Sequence, residues 1–162
     1  CDILQIAHLI DTDGAFIPEN LVKARTEKGV QYFEDHIETG EVEYIQERNR
    51  KKSSVVASLC STGKMKSTMP YSIYYFSRNM EHALHNMSTE LTDDQKVELA
   101  DAFAEKYEKN PMGFVDFIES DEVAVAGNYA QTWSFIRTGT NSLNRYSNLC
   151  ILFEQDNLKN GD

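Results

Sequence analysis

The chain has 162 residues, 41% hydrophobic and 26% charged, which suffices for one domain with its own core. Its net charge of −10 argues against broad non-specific attachment to nucleic acid and leaves only a local basic patch for such contact. No apolar stretch reaches membrane-spanning length and no signal peptide is legible, so a cytoplasmic protein without a membrane partner is expected.

Ile3 to Ile10 (ILQIAHLI) is apolar at most positions and reads as a strand buried on both faces of a parallel sheet. Asp11 to Gly14 is then the loop at its carboxyl end. The chain enters this apolar run almost directly from Cys1, so it is expected to be a fragment lacking an N-terminal segment. Pro18 suits a helix start, and ENLVKARTEKG continues to a stop at Gly29. Val30 to Ile37 fits helix or strand equally. From Glu41 to Leu59, the residues Val42, Ile45, Asn49, Val56 and Leu59 share one helical stripe. Between them ERNRKK, residues 47–52, reads as a basic turn in an otherwise acidic chain.

Thr68 to Ser77 has the aromatic and β-branched content of a strand, and RNMEHALHN follows as a helix. Thr92-Asp93-Asp94-Gln95 is a capping-box pattern that opens a helix to Asn110, with Leu99, Ala100, Phe103 and Tyr107 inward. Phe114 to Ile118 and Val123 to Ile136 read as helices with Trp133 and Phe135 in the core. The closing run, residues 141–157, fits a helix or a strand. Cys1, Cys60 and Cys150 show no Cys-x-x-Cys or Cys/His spacing, which argues against structural zinc and suits a reducing compartment. The expected fold is a single α/β domain, with a mostly parallel, Rossmann-like sheet and a mainly helical C-terminal half.

Ligands gather at the carboxyl ends of strands in parallel α/β sheets, and Asp11 and Asp13 stand at such an end. Two carboxylates in an Asp-x-Asp spacing can converge on Mg²⁺, which prefers hard oxygen ligands and keeps waters for phosphate substrates. Gly14 permits tight backbone geometry beside them. A second group, Ser77 to Asn86, also follows a strand. On a helix it places Glu81 and His85 on one face, and His82 and Asn86 likewise. Glu81 is a third acidic ligand candidate, and His82 and His85 are candidates to move a proton. Ser77 or Asn79 can cap that helix. Arg48, Arg50, Lys51 and Lys52 are either a solvated helix face or a phosphate-contacting patch, with Arg145 as a further cation.

The segment HLIDTDGAF resembles the Asp-x-Asp corner of Toprim domains, the Mg²⁺-dependent domains of topoisomerases, primases and the OLD- and RloB-type proteins of bacterial phage defence. PYSIYYFSRNMEHALHN is similar to the RloB-type segment in which an acidic residue follows an aromatic strand end, with Glu81 at the matching position. The likeness covers residues 3–20 and 69–86. It implies a Toprim-like, metal-dependent nuclease acting on a phosphodiester of nucleic acid, with Asp11 and Asp13 on the metal. It also implies an earlier strand ending in a glutamate, which would precede Cys1, and a possible partner ATPase.

The same Asp-x-Asp-Gly resembles the first motif of haloacid-dehalogenase-like phosphatases, which implies Asp11 as nucleophile and Asp13 as acid/base. There VVASLCSTGK, residues 55–64, resembles the second motif, a strand ending in Ser/Thr-Gly. Ala15, however, stands where threonine is usual. A third reading is a non-catalytic interaction domain of a phage- or defence-related protein, presenting Tyr71, Tyr74 and Tyr75 at the surface.

Overall fold

The computed structural model describes residues 5–89 and 91–157. Strand β1 (Ile6–Asp11) runs into a polar corner and a 3-10 turn at Glu19–Leu21. Three short strands follow, β2 (Val22–Ala24), β3 (Val30–Tyr32) and β4 (Ile37–Thr39). Helix α1 (Val42–Ser61) leads through β5 (Lys64–Met65) into β6 (Met69–Phe76). Helices α2 (Met80–His85), α3 (Asp93–Glu108), α4 (Pro111–Glu119), α5 (Tyr129–Ile136) and α6 (Cys150–Asn157) complete the order. Among the described residues no strand element follows β6, so the C-terminal half is helical, as the pattern predicts.

The sheet is not the mostly parallel, Rossmann-like one expected. Two small mixed sheets of three strands each form instead, in the orders β1-β6-β5 and β2-β4-β3. β1 pairs parallel with β6 from Ile6↔Tyr71 to Asp11↔Phe76, and β5 pairs antiparallel with β6. In the second sheet β4 pairs parallel with β2 and antiparallel with β3. The parallel pair β1-β6 is therefore the only part of the expected sheet that positions the site.

Alternation along β6 sends its side chains into two cores. Tyr71, Ile73 and Tyr75 pack with Val56 of α1 and with Trp133 and Ile136 of α5, joined by Ile6 and Ile10 of β1. Tyr74 and Phe76 face the other way, against Ala83, Ile118, Val123, Leu149 and Ile151. These tyrosines are core residues and not the surface aromatics an interaction domain would offer, since Tyr71, Tyr74 and Tyr75 are 5%, 1% and 0% exposed. A third core joins the small sheet to α1 through Val22, Ile37, Ile45, Ile17 and Leu143.

β6 has β1 along one side, while on its other edge β5 pairs only with Met69 and Pro70. Beyond that short pairing, single groups replace a neighbouring strand. The Tyr71 N–H donates to the Gly63 carbonyl at 3.1 Å. The Tyr129 hydroxyl accepts from the Ile73 N–H (3.2 Å) and donates to the Ile73 carbonyl (2.9 Å). The Asn148 side-chain oxygen accepts from the Tyr75 N–H (2.9 Å), and the Ser147 hydroxyl donates to the Tyr75 carbonyl (2.8 Å). Unpaired backbone groups at this depth are costly, so these side chains allow a buried strand to lie near a sheet edge.

Other expectations change with this arrangement. The strand expected at Ile3–Ile10 begins at Ile6 and is not buried on both faces; Leu9 is 41% exposed, because β1 borders the sheet. Ile3 lies outside the described residues. No helix runs from Pro18 to Gly29. Only Leu21 and Val22 are large and apolar there, too few for a helical stripe, and Val22 turns inward beside Ile37 while Lys23 and Ala24 stay exposed. The ambiguous stretch 30–37 becomes β3, a turn and the start of β4, with Phe33 and His36 stacked at 4.4 Å across the turn.

ERNRKK is not a turn but the middle of α1, a continuous helix of 20 residues. The helix expected over 123–136 begins only at Tyr129, where Asn128 and Gln131 form a capping box; Ala124 instead bridges to Ser147. α3 follows its capping box as predicted, but it buries no residue fully and Ala100 is exposed. The ambiguous C-terminal run becomes a 3-10 turn, Asn141–Leu143, followed by α6.

Tyr129→Phe keeps the ring and removes both hydrogen bonds to Ile73. Urea denaturation is expected to show a loss of about 1–3 kcal/mol with an unchanged denaturant slope. An unchanged midpoint would mean that Ile73 finds other partners.

Candidate functional site

The corner begins where β1 ends. The Thr12 N–H continues the ladder to the Phe76 carbonyl (2.9 Å), and the Asp13 N–H donates to the Arg78 carbonyl (2.7 Å). Thr12 is fully buried, and its hydroxyl accepts from the Arg78 N–H at 3.2 Å. Asp13 and Gly14 both take left-handed conformations, φ 49° and 65°, and the Ala15 N–H closes the turn on the Thr12 carbonyl. A Cβ at position 14 would sit 2.5 Å from Leu143 Cδ2, so glycine serves both the backbone and the packing here.

Because β1 and β6 are parallel, the segment leaving β6 lies on the same rim. Arg78 is itself left-handed, at φ 55°, and the Asn79 side chain caps α2 by accepting from the His82 N–H (2.9 Å). Asn79, not Ser77, is therefore the cap. Glu81 lies in the first turn of that helix. The Asp11 carboxyl is pushed up from 3.8 to about 6, first by burial, then by the negative charges of Asp13 and Glu81. Lys52 and a hydrogen bond from the Met80 backbone oppose the rise. Three acidic groups thus share one local field at the carboxyl ends of two neighbouring strands.

The expected cations divide between this rim and other tasks. Lys52 forms an ion pair with Asp13 Oδ2. Arg48 donates to the Asp13 carbonyl (2.9 Å), the Tyr32 hydroxyl (3.0 Å) and the Asn49 side chain, bracing the corner from α1. Arg50 is held by Glu47 and Glu19 at 2.7 and 2.9 Å, and Lys51 lies 3.3 Å from Glu47. Arg145 donates to the Ala83 carbonyl (2.9 Å) and to Glu122 (3.1 Å), tying α2 to the loop that follows α4. In the basic run Arg50 and Lys51 pair with acidic side chains of the helix face and its surroundings, Lys52 meets the Asp13 carboxylate, and Arg48 meets the Asp13 backbone.

The histidines differ from each other. His82 is buried, and its pKa is driven down to about 4 by burial and by the nearby charges of Arg78 and Arg145, so it is neutral at pH 7. His85 packs edge-on against Phe103 at 5.2 Å, and burial lowers its pKa. Neither is drawn into contact with Asp11 or Asp13 by any hydrogen bond among the described residues.

Sequence reasoning missed Arg78. Its guanidinium is buried over the Tyr32 ring at 4.9 Å and donates to the Ser88 carbonyl, while its Nε has no partner among the described residues. The signal available was its place directly after an apolar strand, beside the acidic corner.

Among the described residues no three His, Cys, Asp or Glu side chains lie together as a ready-made metal-binding group. Asp11, Asp13 and Glu81 thus do not form the converged three-ligand set expected from the sequence. A hard divalent ion held by one or two carboxylates and several waters fits the corner nonetheless, because Asp11 and Asp13 repel each other without it. The phosphatase-like second motif does not form as a strand, since residues 55–61 are the last turns of α1.

Comparison with protein-family models, curated proteins and solved structures returns no match to this chain. No helix among the described residues is long and apolar enough to cross a membrane.

The raised Asp11 pKa gives a signed pH dependence. Between about 4 and about 6 the unfolded chain has released a proton that the folded chain still holds, so metal-free stability falls as pH rises through that window. Asp11→Asn is expected to remove this slope and to gain on the order of 2 kcal/mol at pH 8 relative to the wild type. Denaturation of chelator-treated protein between pH 4 and 8 measures it, and an identical slope in the variant would contradict the assignment.

Proposed function

We propose that this chain is a Toprim-like domain that processes phosphodiesters of nucleic acid with Mg²⁺ held on Asp11 and Asp13. The observation that carries the reading is the crowding of acidic groups where two parallel strands end. Asp11 closes β1, Glu81 follows β6, and the charges of Asp13 and Glu81 both weigh on Asp11. A divalent cation relieves that repulsion, and charged clusters with perturbed carboxyl groups are frequent at functional sites.

When bound there, the ion supplies Lewis-acid stabilisation to a phosphoryl oxygen. The chain's own groups do the rest. Asp11 and Asp13 give the carboxylate oxygens, and Glu81 adds negative charge that keeps a cation on the rim. Lys52 neutralises Asp13 in the free protein and has a flexible stem, so its ammonium is the group that can turn to a substrate phosphate. Arg48 and Thr12 act as positioning residues. They hold the Asp13 carbonyl and the Arg78 N–H, and so fix the turn that aims both aspartates.

Calorimetry with Mg²⁺ is expected to give saturable binding that Asp11→Asn and Asp13→Asn each weaken at least tenfold. Lys52→Met is expected to tighten it several-fold, because an ammonium no longer competes for Asp13. Mg²⁺-dependent cleavage of DNA or RNA by the wild type should disappear in Asp11→Asn. Unchanged Mg²⁺ affinity in both aspartate variants would overturn the reading.

A further inference from the structure

On the far side of the chain that leaves the acidic corner, a cavity of about 560 Å³ opens beside α1, within the size range of small-molecule sites. One wall is the α1 stripe of Gln46, Arg50, Ser53 and Ala57, at spacings of four, three and four residues. The opposite wall is the chain just after the acidic corner, with Phe16 and Ile17, and Arg137 stands at the end of α5. The cavity therefore pairs apolar walls with two arginines and one carboxylate, Glu19, which is itself neutralised by Arg50, so Arg137 is its cation for an organic anion.

The two arginines of the cavity are not equivalent. Arg50 is already engaged by Glu19 and Glu47. Arg137 has no carboxylate partner among the described residues. Its guanidinium lies over the rings of Phe16 (5.7 Å) and Trp133 (5.4 Å), and its Nη2 is 3.3 Å from Cys60 Sγ. A guanidinium placed over aromatic rings and, among the described residues, bonded only to a thiol keeps further N–H donors for an oxyanion, and phosphate oxygens match its planar fork. Phe16 brings an aromatic ring to the same wall, where a flat apolar body can pack.

We propose that this cavity is a binding site for a small aromatic phosphate of the nucleoside monophosphate kind. The phosphate sits on Arg137, and the ring lies along Phe16 and the Ala57 side of α1. The site stands on Arg137 and these walls, and does not require a metal at Asp11. It is compatible with the proposed phosphodiester chemistry, whose products include molecules of this class.

The test is calorimetric titration of the full chain with adenosine 5′-monophosphate, with adenosine and inorganic phosphate as separate arms. Trp133, the one tryptophan of the chain, lies under Arg137 and serves as a fluorescence reporter. The wild type is expected to bind the monophosphate saturably and at least tenfold more tightly than either adenosine or inorganic phosphate. Arg137→Gln should remove the advantage over adenosine. Ala57→Leu, at an exposed helical position, should block the cavity and weaken binding at least tenfold without unfolding the chain. Asp11→Asn should leave the affinity unchanged while it loses Mg²⁺, which separates this site from the metal reading. Three results would each overturn the proposal: no saturable binding, equal affinity for the monophosphate and adenosine, or full affinity retained in both cavity variants.

Discussion

Everything in this fold hangs on how the outer edge of β6 is satisfied. A strand with Ile73, Tyr74 and Tyr75 almost wholly buried has no room for unpaired backbone groups, yet it has a full-length neighbour only in β1. Tyr129, Ser147 and Asn148 fill the gap with side-chain oxygens, reaching across 56 to 73 residues of sequence. In doing so they dock α5 on one face of the strand and lead α6 to the other. The helical second half is thereby fastened to one of the two strands whose ends meet at the corner. If the edge were open, the segment leaving β6 would lose the support that brings Arg78 and Glu81 beside the Asp11 corner.

That support produces an electrostatically tense rim. Asp11 is raised by burial and by two like charges, and Lys52, paired with Asp13, offsets that rise only in part. The corner backbone is also constrained, with Asp13, Gly14 and Arg78 all left-handed, the Asp13 N–H bonded to the Arg78 carbonyl and the Arg78 N–H to the Thr12 hydroxyl. Local conformational cost and unrelieved like charge in one place are typical of sites whose purpose is to bind rather than to stabilise. Lys52 and Arg48 show the same economy from α1: one offsets charge, and the other braces the turn.

The parts legible in the sequence are those set by local pattern. The apolar run into Asp11-Thr12-Asp13-Gly14 marks a strand and its corner, the stripe of Val42, Ile45, Asn49 and Val56 marks α1, and Thr92 with Gln95 marks the start of α3. Other features were present in the pattern and misread. Asn128 and Gln131 carry the same capping spacing that places the start of α5, but the apolar residues 123–125 suggested an earlier one. ERNRKK reads as a turn from charge alone, although its Glu, Arg and Lys residues, all but Asn49, are good helix formers. Still other features had no local signal. Val22 becomes a strand because β4 lies beside it, and β6 rather than β1 takes the buried place in the sheet. The Lys52–Asp13 pair and the Tyr129–Ile73 bonds are tertiary events that no short window contains.

The central claim is that the parallel ends of β1 and β6 form one cation-binding rim around Asp11 and Asp13. Titration of isotope-labelled protein with Mn²⁺, read as paramagnetic broadening of backbone amide signals, tests it most directly. The account predicts broadening that starts at residues 11–15 and 78–82 at the lowest metal concentrations and is suppressed in Asp11→Asn. Broadening that instead begins along the exposed acidic helix α3, around Asp93 and Asp94, and persists in that variant would contradict it.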